Sequence, residues 1–521
     1  MSREHQNEGI SEAGLPGPTP SLSSDEHQLA SMGYKQELSR RMKGFSNFAI
    51  SFSIICILSG GINSLGQGIS SVGGASIGIG WPIGCLISLL FALGMAQIAS
   101  AYPTAGGLYH WGSVLGGRGW GWLTAWLNLI GLVTVLGAIN VGTYFFVIGA
   151  FGEALGLTDN IGTQAAFVIS FTAIQALVNH FGIRLTTRLT DLSGYLIFAV
   201  ASVLTVSLLI YAPTHDFSRL WTFTNYSGKL GGDVWPQNAS LISLFLLCLL
   251  LPIYTITGFD ASAHTAEETV DAQRAVPRGI VGSVAWSSLF GWIMLTAFVL
   301  AIPDMKTAAA SGFGVFFNTL GAVLPGALKT ALYVGIFLAQ FLCGLATVTS
   351  VSRMTYAFAR DGGLPFSAAL RSVHPGHRTP VVAIWTSAII SVLFTLYTPA
   401  YTTIVSVTVI FLFLSYGLPI VMGLFAYGRS WTVMGPWNMG PLYRVVAALV
   451  GVMVVMIFVI GVQPPNGKAL PITLGFLAIT AAVWFGLERQ RFKGPPIGDT
   501  LRVRQAELEA PESTLGSASA D

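Results

Sequence analysis

ITGFDAS, residues 256–262, puts a glycine and a carboxylate at the end of an almost uncharged apolar run that begins at Leu241. A continuous membrane helix has no use for either residue there, since glycine loosens a helix and a charge in hydrocarbon is costly. A second interruption lies in ILSGGIN, residues 57–63, where Ser59, Gly60 and Gly61 divide another apolar stretch. Together the two decide how the chain is read.

Their surroundings are those of a membrane protein. Of 521 residues, 53% are hydrophobic and only 9% charged, and mean hydropathy is +0.67. A soluble protein of this length needs a polar helix face every few residues, which is missing here. Apolar segments recur at 45–70, 77–99, 119–150, 163–181, 190–212, 239–265, 279–302, 329–358, 379–398, 401–427, 443–462 and 470–487. Each can cross about 30 Å of hydrocarbon at about 1.5 Å per residue. The expected fold class is therefore an all-α polytopic membrane protein with 12 transmembrane helices, spans 1 to 12.

An even number of spans leaves both termini on one side. Of the 26 lysines and arginines, only Arg219, Lys229, Lys306, Lys329 and Lys468 fall in loops on the other side. Basic residues accumulate on the cytoplasmic side, so both termini are expected in the cytoplasm of a cell membrane protein. Residues 1–34 and 491–521 are polar and expected to form disordered cytoplasmic tails around a 35–490 transporter domain. The first of these has no signal-peptide apolar core.

Spans 1 and 6 carry the interruptions and are expected to run in opposite directions. That is the arrangement of a five-plus-five inverted repeat, about 45–212 and 239–427, with extra helices at 443–487. Either glycine group alone could serve close helix packing. Matched positions in the two halves, with Asp260 beside one of them, favour broken helices. Unpaired backbone at membrane depth survives only where protein or a wet cavity satisfies it, so a binding cavity follows.

The half-helix that restarts after Gly61 would aim free N–H groups and a partial positive charge into that cavity, suited to a carboxylate. The outer half of span 6, ending near Tyr254 and Thr255, would aim carbonyls into it, suited to an ammonium. A zwitterion such as an amino acid matches both. Asp260 either faces the substrate or a proton path, or caps the half-helix starting near Ala261. His264, one turn on, can pair with it. Glu267 and Glu268 are expected at the cytoplasmic mouth, gating it or holding it through ion pairs with the nearby Arg274 and Arg278.

No metalloprotease, nucleophile-elbow or phosphate-loop motif is present, so no enzyme activity, metal or cofactor is expected, and the scattered basic residues offer no nucleic-acid face. Cys56, Cys85, Cys248 and Cys343 lie in apolar stretches without paired spacing and are read as small buried hydrophobes.

SGGI (59–62), SAYPTAGGLYHW (100–111), GFDASAHTAEET (258–269), VPRGI (276–280) and SRMTYAFARDGGLP (352–365) resemble the hallmarks of the amino acid, polyamine and organocation (APC) superfamily. The order and content of these motifs look most like the amino acid and choline transporter group, which includes γ-aminobutyrate and choline permeases. The resemblance implies a leucine-transporter-like fold, a substrate at the two breaks, and alternating access. Carried over by motif, Ile57, Ser59, Gly60 and Gly61 would meet the carboxylate end of the substrate. Tyr254, Thr255 and Thr257 would meet the amine, and Asp260 stands where relatives often have a polar residue. Gln97 replaces an acidic residue found in many relatives, and residues 193–200 lack the lysine that replaces sodium in some. The coupling ion, H+ or Na+, is left open by these departures. A cation site would draw on carbonyls before Ser59 with Thr347, Thr349 or Ser350. The expected activity is uptake of an amino acid or amino-acid-like amine across a lipid bilayer. Choline or polyamine transport is the alternative, and a non-transporting nutrient sensor would keep the same site.

Overall fold

The computed structural model describes residues 23–398, 400–496 and 501. Almost every element in them is helical, and among the described residues no strand forms, only two isolated bridges. Ten helices are long and apolar enough to cross a bilayer, namely Gly44–Asn63 (which contains one break), Ser76–Ala101, Arg118–Leu155, Ile161–His180, Arg184–Tyr211, Ala272–Ala301, Gly326–Arg360, Tyr401–Ala426, Leu442–Gly461 and Ala469–Arg491. Two shorter apolar helices, Leu241–Thr255 and Val381–Tyr397, occupy the places of spans 6 and 9. The chain is a polytopic helical membrane protein.

Burial sorts the spans into a centre and a rim. In spans 1 and 3, 89% of the most apolar window is buried inside the protein, and in span 10 it is 83%. The values for spans 11 and 12 are 33% and 11%, so these two helices present apolar side chains outward, as peripheral membrane helices do. Span 3 packs along span 10, and span 7 along spans 1 and 2.

Spans 1 and 6 are broken at corresponding points. The first helix stops at Ile55, Cys56 turns at φ 23°, and helix resumes at Gly60. In span 6 helix stops at Thr255 and resumes at Ala261. Gly258 sits between at φ +82°, and a Cβ there would also collide with Ile54. Only glycine meets both demands at low cost. The breaks lie against each other: a Cβ on Gly60 would come within 2.8 Å of the Thr255 Cα.

Residues 23–34, expected to belong to a disordered tail, are instead folded. Ser23 and Glu26 form a reciprocal capping box on the helix Ser24–Ser31, Leu29 is buried, and the Tyr34 hydroxyl donates to the Asp361 carboxylate at 2.8 Å. Buried anchors outweigh the polar composition that suggested disorder. At the other end Phe492 is buried as well, while the rest of the expected tails, 1–22, 497–500 and 502–521, lie outside the described residues.

Candidate functional site

At the span 1 break, Ser59 and Gly60 N–H groups turn back to the Cys56 carbonyl, at 2.7 and 3.1 Å. The N–H groups of Gly61 and Ile62 find no acceptor among the described residues. Gly60 and Gly61 thus stand in the first turn of the restarted helix rather than before it, where orphan donors are expected. At the span 6 break the Tyr254 carbonyl already accepts from the Thr257 hydroxyl at 2.8 Å, and the Thr255 hydroxyl donates to the Leu251 carbonyl at 2.7 Å. The acceptors left over are the carbonyls of Thr255 and Ile256, which take no hydrogen bond among the described residues. The segments that carry the orphan donors and the orphan acceptors meet where Gly60 approaches Thr255.

Ile57, Ser59, Tyr254, Thr255, Thr257 and Asp260 are all buried, so the region is closed to bulk solvent on both sides. Span 10 supplies two tyrosines around it. Tyr401 stands edge-on to the Tyr254 ring, with centroids 6.4 Å apart, and its hydroxyl lies 3.3 Å from Ser64 Oγ. Tyr416 accepts from the Gly258 N–H at 3.1 Å and donates to Asp260 Oδ1 at 2.8 Å, tying the break to the carboxylate.

Asp260 makes no side-chain capping bond to the half-helix Ala261–His264. Its second oxygen, Oδ2, receives Asn128 Nδ2 from span 3 at 2.9 Å and lies 3.2 Å from His264 Nε2. Three spans and the break converge on this one group. The sequence reading passed over Asn128 and Tyr416, although a polar side chain inside an apolar span was the available signal for each.

The oxygens proposed for a cation differ in their hydrogen bonding. Thr347 donates to its own helix at Cys343 (2.9 Å), and Thr349 donates to Asn179 on span 4 (2.7 Å). Among the described residues Ser350 Oγ is buried without a hydrogen-bond partner, while the Leu58 carbonyl before Ser59 accepts Gln340 Nε2 at 3.0 Å. Hydroxyls bonding their own or a neighbouring helix account for two of the three. Among the described residues no group of three metal-ligating side chains occurs, and all four cysteines are free and buried.

Below the breaks, the expected pairing of Glu267 and Glu268 with Arg274 and Arg278 is corrected. Glu267 is gripped by Arg360 through two bonds of 2.9 Å, and Glu268 by Arg353 through bonds of 3.0 and 3.1 Å. Both arginines belong to span 8, two turns apart on one face, so each bidentate fork clamps span 6 to span 8. Arg274 pairs with Asp271 on the exposed end of span 7 instead. Burial pushes the Glu267 carboxyl upward, but the Arg360 guanidinium outweighs it and holds the group below its ordinary value.

The N-terminal segment closes over these pairs. Gln36 Nε2 donates to the Glu267 carbonyl at 2.8 Å, Arg41 and Met42 N–H groups donate to the Glu268 carbonyl, and the Arg360 guanidinium lies 4.0 Å from the Tyr34 ring centre. Deeper in, Asn47 and Ser51 of span 1 bond Ser262, Thr265, Thr269 and the Phe259 carbonyl of the restarted span 6. These bonds join the inner halves of the two broken spans to each other.

The profile of the amino acid permease family matches residues 42–483. The chain is 32% identical to the amino-acid permease BAT1 of Arabidopsis thaliana, over 91% of this chain and 97% of that protein. It is 28% identical to the amino-acid permease 2 of Neurospora crassa, covering 92% and 91% of the two. The GABA-specific permease of Saccharomyces cerevisiae is likewise 28% identical, across 85% and 79%.

Proposed function

The chain belongs to the amino acid permease family of the APC superfamily, which are transporters and not enzymes, and on that premise we propose that it is a secondary active transporter. It takes up an amino acid or amino-acid-like amine, such as γ-aminobutyrate, by alternating access, with both termini in the cytoplasm. The observation that carries this reading is the pair of opposed breaks. The Gly61 and Ile62 N–H groups suit the substrate carboxylate, and the Thr255 and Ile256 carbonyls suit its ammonium. Ile57, Ser59 and Gly60 line the carboxylate end, and Tyr254, Thr257 and Asp260 line the amine end.

With the site buried, the present conformation is the occluded one of the cycle. The Glu267–Arg360 and Glu268–Arg353 pairs are its cytoplasmic gate. Transport is driven by H+ or Na+.

A second reading, choline or a polyamine, draws support from the Asp260 carboxylate and the Tyr254, Tyr401 and Tyr416 rings, which suit a cation without a carboxylate. Proteoliposome uptake of labelled amino acids, γ-aminobutyrate, choline and putrescine under imposed H+ or Na+ gradients tests both. Accumulation of a zwitterion above its own gradient is expected. Accumulation of choline or putrescine alone favours the second reading, and accumulation of nothing overturns transport in favour of a sensor.

A further inference from the structure

We infer that Asp260 and His264 together hold one proton in the closed conformation, and that this pair is the carrier of the coupling ion. The inference rests on the transport reading above for its role and on hydrogen-bond accounting for its existence.

His264 Nδ1 lies 3.2 Å from the Ala105 carbonyl oxygen, and His264 Nε2 lies 3.2 Å from Asp260 Oδ2. A carbonyl oxygen can only accept, so the first contact requires a hydrogen on Nδ1. The second requires a hydrogen between Nε2 and the carboxyl oxygen, on either atom. A neutral imidazole supplies one hydrogen and the geometry needs two. The pair is therefore either imidazolium with carboxylate or neutral imidazole with carboxylic acid, one proton more than neutral histidine beside ionised aspartate. Neutral histidine beside ionised aspartate would set lone pair against lone pair at one end of the ring, Nδ1 against the Ala105 oxygen or Nε2 against Asp260 Oδ2.

Charge gives the same answer by a separate route. Both side chains are fully buried, and among the described residues no lysine or arginine nitrogen comes within 4.0 Å of Asp260. An ionised Asp260 beside neutral His264 would leave a net negative charge at membrane depth with only neutral donors around it. The groups facing the pair are Tyr416 from span 10, Asn128 from span 3 and the Ala105 carbonyl from the loop after span 2. Tyr416 alone among these titrates, and it donates to Asp260. One extra proton makes the pair neutral.

The pair also has a line to the gate. Ala105 accepts from His264 with its carbonyl and donates its own N–H to Glu267 Oε1 at 3.0 Å, the carboxylate that Arg360 clamps. Opening that clamp shifts the loop residue that fixes the His264 ring. With the Ala105 contact gone, Nδ1 can give its proton to entering water while Nε2 keeps the proton shared with Asp260, which leaves neutral His264 beside a carboxylate that the same water solvates, so proton release follows opening of the gate. His264 is a positioning and proton-holding group in this scheme.

Nitrogen NMR of the full-length protein in lipid nanodiscs at neutral pH reads the proton directly. Ala263–His264 is the only Ala–His step in the sequence, so pairwise labelling picks out His264 in the unaltered protein. Protons on both ring nitrogens, or on Nδ1 alone with Nε2 accepting, are the expected results. A bare Nδ1 with the proton on Nε2 alone overturns the inference. For the role, proteoliposome uptake of γ-aminobutyrate and a mixture of labelled amino acids is compared with and without an inward gradient of one pH unit. One proton per substrate drives up to about tenfold accumulation in the wild type, and His264→Gln is expected to lose that dependence on the gradient. A gradient response at wild-type level in His264→Gln overturns the carrier role. If the wild type accumulates nothing, the transport reading fails, while the NMR result still decides whether the pair holds a proton.

Discussion

At the residue scale, Asp260 is the position where the sequence said most and the structure added most. A carboxylate beside glycine inside an apolar run was legible as an exception to an ordinary membrane helix. Which groups satisfy it was not, because Asn128 and Tyr416 come from spans 132 and 156 residues away and no local pattern links them. Asp260→Asn keeps the shape but replaces one acceptor oxygen with a donor and cannot share a proton with His264, so uptake is expected to fall at least about tenfold, the scale of one buried hydrogen bond left unmade. Unchanged uptake by a well-folded Asp260→Asn protein would detach Asp260 from the site. Gly258→Ala strains a left-handed backbone and collides with Ile54, so a stability loss above about 1 kcal/mol is expected, read as a lower Tm.

His110, in the helix Leu108–Gly116 beside the gate, gives the pH dependence. Burial, aided by the Arg360 charge, pushes its imidazole down to about 4 from 6.5. The unfolded chain takes up this proton below 6.5 and the folded chain refuses it until about 4, so stability is complete above 6.5 and falls as pH drops through that interval. The full loss is about 3 kcal/mol. Glu267, held below its ordinary 4.5, adds a second loss of the same sign at lower pH. Thermal scans from neutral to acid pH should show Tm falling, and His110→Gln should flatten the part of the curve between 6.5 and 4.

At the scale of elements, the spans were legible because hydrocarbon thickness sets their length, and the two breaks because glycine and aspartate have no place in an ordinary membrane helix. The ion pairs of Glu267 and Glu268 were legible only in part. Glu267 and Glu268 were recognisable as a charged mouth, but nearness in sequence pointed to Arg274 and Arg278, whereas the helix path brings in Arg360 and Arg353, 93 and 85 residues distant. The helix Ser24–Ser31 was only partly legible: the Ser23–Glu26 capping box is a local signal that the polar composition overshadowed, while contacts with distant elements, such as Asp25 accepting the Asp271 N–H at 2.8 Å, leave no local pattern. Arg353→Gln leaves Glu268 buried without a cation, which typically costs about 3–5 kcal/mol. The double variant Arg353→Gln/Glu268→Gln removes the orphan charge and should recover much of the loss in Tm. Additive losses in the double-mutant cycle would show that the two side chains do not act as a pair.

At the scale of the whole molecule, the pairing of spans 1 and 6 brings two local helix defects together, and in the function proposed here they form one site, with donors from one break and acceptors from the other. The peripheral spans 11 and 12 take no part in it, in line with their outward apolar faces. The inner halves of the broken spans, sewn together by Asn47, Ser51 and Ser262, are held against span 8 by the two arginine forks. A structure of the protein determined by electron cryomicroscopy with the compound that the uptake panel identifies tests this account most directly. The account predicts density between the breaks, with the carboxylate about 3 Å from the Gly61 and Ile62 nitrogens and the ammonium about 3 Å from the Thr255 and Ile256 oxygens. Density for the transported compound elsewhere, with Gly60 and Thr255 still in contact, would contradict it.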